Sequence, residues 1–127
     1  MDIEQIRAHC LSFPHVTEKV QWGYDLVFRI GGKMFAVTSL EAAPVCLSFK
    51  CTPEKFAELV ERDSIIPAPY VARYHWVALE RFNALSEKEL KALLRNAYDL
   101  VLEKLPRKAK AELDGKSGPQ KAVRKRR

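Results

Sequence analysis

Arg73, Tyr74, His75 and Trp76 stand side by side at the end of the stretch PAPYVARYHW, residues 67–76. A guanidinium contacts phosphate, and tyrosine and tryptophan rings stack on exposed bases or wedge into a groove. The same residue types dominate the hot spots of protein–protein contacts. Pro67 and Pro69 restrict the backbone, so a surface formed here is stiff. A second reading gives the stretch a purely structural role. The prolines then stiffen a crossing between two elements, Tyr70 and Trp76 cover a core edge, and His75 is half-buried with one hydrogen bond.

Strand alternation orients these side chains. In HWVALE, residues 75–80, His75, Val77 and Leu79 share one side, and Trp76, Ala78 and Glu80 the other. Val77 and Leu79 belong in a core, which sends Trp76 to the opposite, more exposed face. Arg29 and Met34 project from the non-core face of a hairpin, with Lys33 at its turn. The candidate nucleic-acid contacts of the folded part are therefore Arg29, Lys33, Arg73, Tyr74 and Trp76. Lys33 has a plainer reading as a solvated lysine that discourages sheet-edge pairing.

The remaining candidates lie in KAVRKRR at the C-terminal end: Lys121, Arg124, Lys125, Arg126 and Arg127. Such a run recruits nucleic acid through counterion release, independent of sequence. Basic runs also bind anionic lipid. With no lipidation motif and no amphipathic apolar face, nucleic acid is the favoured partner and a membrane is not expected. The net charge of +6 belongs to this end. Residues 107–127 hold nine Lys/Arg against two acids, whereas residues 1–106 hold 13 against 14. A basic patch on the folded part must then come from clustering, and the overall charge alone does not assign a nucleic-acid-binding domain.

The chain of 127 residues is long enough for one domain with one core. Residues 2–12 read as a helix, with Asp2 and Gln5 placed as a capping box. DLVFRI (25–30) and KMFAVT (33–38) flank Gly31-Gly32, a two-residue hairpin turn. Regular pairing across that turn puts Leu26, Phe28, Ile30, Phe35 and Val37 on one buried face. PVCLSFK (44–50) is a third strand, and 75–80 a fourth. A second helix starts at Thr52-Pro53, a good N-cap followed by proline at the first helical position. A third starts at Ser86 with Glu89 three residues on, and buries a stripe of Leu90, Leu93, Leu94, Ala97, Val101 and Leu105. Pro106 ends it. This order predicts an α+β two-layer sandwich, an antiparallel sheet with N- and C-terminal helices packed on one face. Residues 2–106 form the domain and 107–127 a basic, largely disordered tail.

Catalytic and metal chemistry find little purchase. The histidines, His9, His15 and His75, belong to no recognised catalytic motif. Cys10, Cys46 and Cys51 lack zinc-ligand spacing and read as reduced, mostly buried thiols. The expectation is a non-enzymatic protein with no cofactor and no metal. No run approaches the length of a membrane span, and the first residues lack the pattern of a secretion signal, so a cytosolic location is expected.

Gly32–Phe35 (GKMF), the proline-rich loop, His75-Trp76-Val77 opening a strand, and a final helix containing Tyr98 occur in an order and spacing that resembles the MmcQ/YjbR family of small bacterial proteins. The likeness covers residues 2–105. It implies a fold similar to the frataxin/CyaY type. It also implies DNA binding through wing-like hairpins, without supplying site residues to carry over. A frataxin-like iron role would need an acidic ridge, and the first helix offers only Asp2 and Glu4. The function expected is DNA binding with weak sequence specificity, by a hairpin and aromatic-loop patch plus the basic tail. The alternative is a protein-interaction or small-ligand module using the same loop.

Overall fold

The computed structural model describes residues 1–116. Six strands form one sheet in the order β1-β2-β3-β4-β6-β5, every neighbouring pair antiparallel. They are β1 (Thr17–Gln21), β2 (Asp25–Ile30), β3 (Lys33–Ser39), β4 (Leu47–Lys50), β5 (Ile65–Pro67) and β6 (Trp76–Leu79). The helices are α1 (Ile3–Leu11), α2 (Pro53–Leu59), α3 (Glu87–Lys104) and α4 (Arg107–Lys116). The architecture is the expected α+β sandwich, with two edge strands, β1 and β5, beyond the four predicted.

Local chemistry explains the helix starts. Asp2 accepts from the Gln5 backbone, and the Gln5 side chain accepts from the Asp2 backbone, which completes the capping box. Thr52 caps α2 and Ser86 caps α3 through their hydroxyls. The second half of the Ser86 box is absent, because Glu89 turns to Arg62 instead. Arg62 also bonds Glu58 and so ties α2 to α3. Solvent screens such half-exposed pairs, so they orient the two helices more than they stabilise the fold.

The main core lies between the sheet and the helices. The predicted α3 stripe is buried in full, joined by Tyr98, whose hydroxyl donates to the Pro14 carbonyl at 2.7 Å. Leu26, Phe28, Ile30 and Phe35 meet it from β2 and β3. Each fully buried leucine or phenylalanine contributes about 2 kcal/mol by leaving water.

One predicted core residue is misplaced. Beyond the turn, Ile30 pairs with Lys33 and Arg29 with Met34, but Phe28 pairs with Ala36, Val27 with Val37 and Leu26 with Thr38. Phe35 is the extra residue of a β-bulge. The bulge lets Phe35 and Ala36 both enter the helix-side core and inverts the alternation after them. Val37 therefore leaves the core face for the opposite one, beside Trp76. Thr38 becomes buried, where its hydroxyl donates to the Cys46 carbonyl at 2.9 Å.

The C-terminal expectation needs a second correction. Arg107–Lys116, expected as part of a largely disordered tail, is helix α4. Ala109 and Leu113 pack against the core as half-buried side chains, and the Lys110 ammonium donates to the Glu103 carbonyl at 2.8 Å. These few contacts fold the start of the tail back on the domain, past the boundary placed at Pro106.

Gly31 and Gly32 hold φ of +59° and +80°, the signs that a type I′ hairpin turn demands. They differ in surroundings. A Cβ on Gly31 would lie 2.6 Å from a Leu105 methyl, whereas one on Gly32 would meet open space. Gly32→Ala is expected to lose about 1 kcal/mol from backbone strain alone. Gly31→Ala adds a collision with the end of the Leu105 side chain, which must shift, and is expected to lose about 1 kcal/mol more than Gly32→Ala. Urea unfolding of both variants checks the difference, and equal losses would mean that the Leu105 contact carries no weight.

Candidate functional site

Lys33 opens β3, Lys50 closes β4, and Lys104 ends α3. These three elements converge at one end of the sheet, and the three lysines line a single groove with Tyr74 and Trp76. Its volume is about 440 Å³, and its ten lining residues include no carboxylate. Met34, Val71, Val101, Leu105 and Pro106 supply an apolar floor and sides.

The positioning is specific. Lys50 sits directly opposite Trp76 in the β4–β6 ladder. Its ammonium donates to the Tyr74 carbonyl at 2.8 Å. The chain makes a short 3-10 turn at Ala72–Tyr74 and enters β6 through His75, whose left-handed backbone (φ +65°) redirects it. The His75 carbonyl accepts from the Cys51 backbone at 2.9 Å and from its thiol at 3.3 Å. The end of β4 thus clamps the turn that carries Arg73 and Tyr74. The Arg73 guanidinium lies over the Tyr74 ring, 4.9 Å from its centre, and both side chains are exposed.

The electrostatics favour an anion. Burial, and then repulsion from Lys104, hold the Lys50 ammonium below its ordinary pKa, while Cys51 opposes this weakly. A phosphate in the groove would relieve the repulsion and accept charge-assisted hydrogen bonds from the ammonium groups.

Of the five candidates in the folded part, Lys33, Tyr74 and Trp76 are brought together. Arg73 stands beside them through its contact with Tyr74. Trp76 does not present the exposed surface expected of it. It is 5% exposed, because the chain from Ala68 to Val71 folds across its face of the sheet. It forms a wall of the groove and is not a free stacking platform. Arg29 is not among the groove residues. It is half-buried and donates to the Gln21 side chain, with its Nε buried and unpartnered. Lys121, Arg124, Lys125, Arg126 and Arg127 lie outside the described residues. Lys50 and Lys104 were missed because neither is near the aromatic loop in sequence. The pairing of PVCLSFK with HWVALE was the one available signal for Lys50.

The remaining reactive side chains are engaged or dispersed. The His75 ring meets Phe56 edge-on, and His9 bonds the Lys91 carbonyl while touching Phe13. Burial pushes Cys10 up to about 12 and Cys51 to about 11, so both stay as thiols at neutral pH. Among the described residues, no three His, Cys, Asp or Glu side chains cluster as a metal site, and no helix is long and apolar enough to cross a membrane.

The sequence profile described as YjbR matches residues 11–100. The chain belongs to the YjbR family. Over 109 residues, this YjbR-family protein is 28% identical to an uncharacterized protein, YbdF, from Escherichia coli O157:H7, covering 83% of this chain and 88% of the relative. It is similar to the crystal structure of the Deinococcus radiodurans protein DR2400, of domain DUF419, at 30% identity. The TM-score is 0.78, over 88% of this chain and 87% of that one. A Pseudomonas syringae protein of known structure shares the fold at 21% identity with a TM-score of 0.63, over 79% of this chain and 98% of its own.

The coupling between Lys50 and Lys104 is measurable. Lys104→Met should raise the Lys50 pKa without restoring it fully to 10.5, because burial is the larger cause of its depression. Lysine side-chain NMR titration reads this directly. An unchanged Lys50 would show that the two ammonium groups do not share the groove.

Proposed function

We propose that this protein is a cytosolic, non-enzymatic DNA-binding protein of weak sequence specificity, and that the lysine groove is its phosphate-contacting surface. The observation that carries the reading is the convergence of Lys33, Lys50 and Lys104 on a groove without a carboxylate. Repulsion between Lys50 and Lys104 raises the free energy of the empty site. A polyanion lowers it and releases its own counterions.

The Arg73–Tyr74 pair beside the groove supports the same reading, since an exposed ring already covered by a guanidinium offers both stacking and phosphate contact. The exposed face of α3 mixes acids and bases, including the Glu87–Lys91 and Arg95–Asp99 pairs, and does not resemble a basic recognition helix. This favours backbone contacts over base readout. The basic run from Lys121 to Arg127 adds sequence-independent attraction.

Fluorescence anisotropy across a salt series tests the proposal with the full chain. Lys33→Met, Lys50→Met and Lys104→Met together are expected to weaken binding to duplex and single-stranded DNA. The log–log salt slope should fall by about 0.9 per lost contact for duplex and about 0.7 for single strands. A slope unchanged in the triple variant would assign all DNA affinity to the C-terminal run and overturn the groove.

A further inference from the structure

A second cavity, of about 460 Å³, opens on the sheet face that the helices do not cover. Trp22, Tyr70 and Trp76 line it, with the Met34 thioether, the Ser48 hydroxyl and the Asp25 carboxylate. We propose that this cavity is a binding site for a small organic cation, a quaternary ammonium group carried on a compact apolar body. Nothing in this depends on the DNA-binding reading.

Three observations carry it. The first is composition. Trp22 and Tyr70 stand exposed at the rim of one cavity whose wall includes the buried Trp76 and Met34, and aromatic rings with a polarisable sulfur are surroundings that attract a poorly hydrated cation. The second is charge. Asp25 is the single charged residue of the lining. It takes part in no ion pair among the described residues. A lone carboxylate among aromatic walls selects a cation and repels phosphate, the reverse of the lysine groove.

The third is backbone conformation. Trp22 and Tyr70 both hold left-handed backbone, with φ of +52° and +69°. Bulky residues avoid this region, and glycine or asparagine would occupy it with less strain. Trp22 and Gly23 share the positive φ of the tight β1–β2 turn, at a position where asparagine is common and tryptophan is not. Neither ring compensates by full burial, since Trp22 is 66% and Tyr70 100% exposed. Two separate loops therefore each hold a strained aromatic residue at the rim of the same cavity. Strain of this kind gathers at ligand clamps.

Choline is the probe, and 3,3-dimethylbutan-1-ol is its neutral isostere of the same shape. Trp22 and Trp76 are the protein's two tryptophans, so both indole N–H resonances report on the cavity. Titrating the full chain with choline should shift both signals saturably. The neutral isostere should bind about tenfold more weakly, the size of a cation–π and carboxylate preference. Asp25→Asn and Tyr70→Ala should each weaken choline several-fold, and Lys88→Met, on the exposed side of α3, should leave it unchanged. Trp22→Asn should fold with at least the parent's thermal midpoint while choline binding drops. Equal binding of the isostere, no saturable shift with choline, or full affinity in Asp25→Asn would each overturn the proposal.

Discussion

The packing of α3 across β2, β3 and β4 is the contact on which the other features rest. Its leucine stripe and Tyr98 fill the space above the hairpin phenylalanines, and Tyr98 reaches on to fasten the connection between α1 and β1. The same packing brings the end of the helix against the hairpin turn, where Leu105 lies over Gly31. Lys104, one residue earlier, is thereby delivered to the mouth of the groove beside Lys33 and Lys50. A helix shifted by one turn, about 5.4 Å, would break the Leu105 contact and withdraw a cation from the site.

The uncovered face of the sheet follows a different logic. Helices shield one side only, and a six-stranded sheet with Val27, Val37, Trp76 and Ala78 on the other side cannot leave that face in water. The chain between β5 and the 3-10 turn solves this locally. Ala68 extends the ladder by donating to the Trp76 carbonyl at 3.0 Å, and Val71 then closes over the indole. The cover is thin and ends at Tyr70, so the face is part core and part cavity. Met34, Val71 and Trp76 line both the lysine groove and the aromatic cavity.

Much of this was legible in the residues. Gly31-Gly32, the Asp2–Gln5 box, Thr52-Pro53 and the 3.6-residue stripe of α3 are strong local signals, and each has a local cause. What escaped leaves no such local signal. β1 and β5 are edge strands of five and three residues; β1 buries no residue fully and β5 only Ile65, so neither shows an apolar face. The bulge at Phe35 is invisible to a count outward from the turn, because that count assumes an unbroken ladder. Alternation correctly sent Trp76 away from the helices. It could not say that PAPYV would cover it. The groove combines Lys33, Lys50 and Lys104 from positions up to 71 residues apart, and only the folded chain brings them together.

The extra residue in β3 also constrains how this hairpin can change length over time. Loss of Phe35 itself would leave a regular ladder in which Ala36, Val37 and Thr38 keep their present partners and faces, so the strand can shorten by one residue there at the cost of one buried ring. Smoothing out the bulge at the present length would instead return Val37 to the helical side and move Thr38 off it, away from the Cys46 carbonyl it bonds. The bulge is thus the one place where this strand absorbs a change of length without turning over its far half.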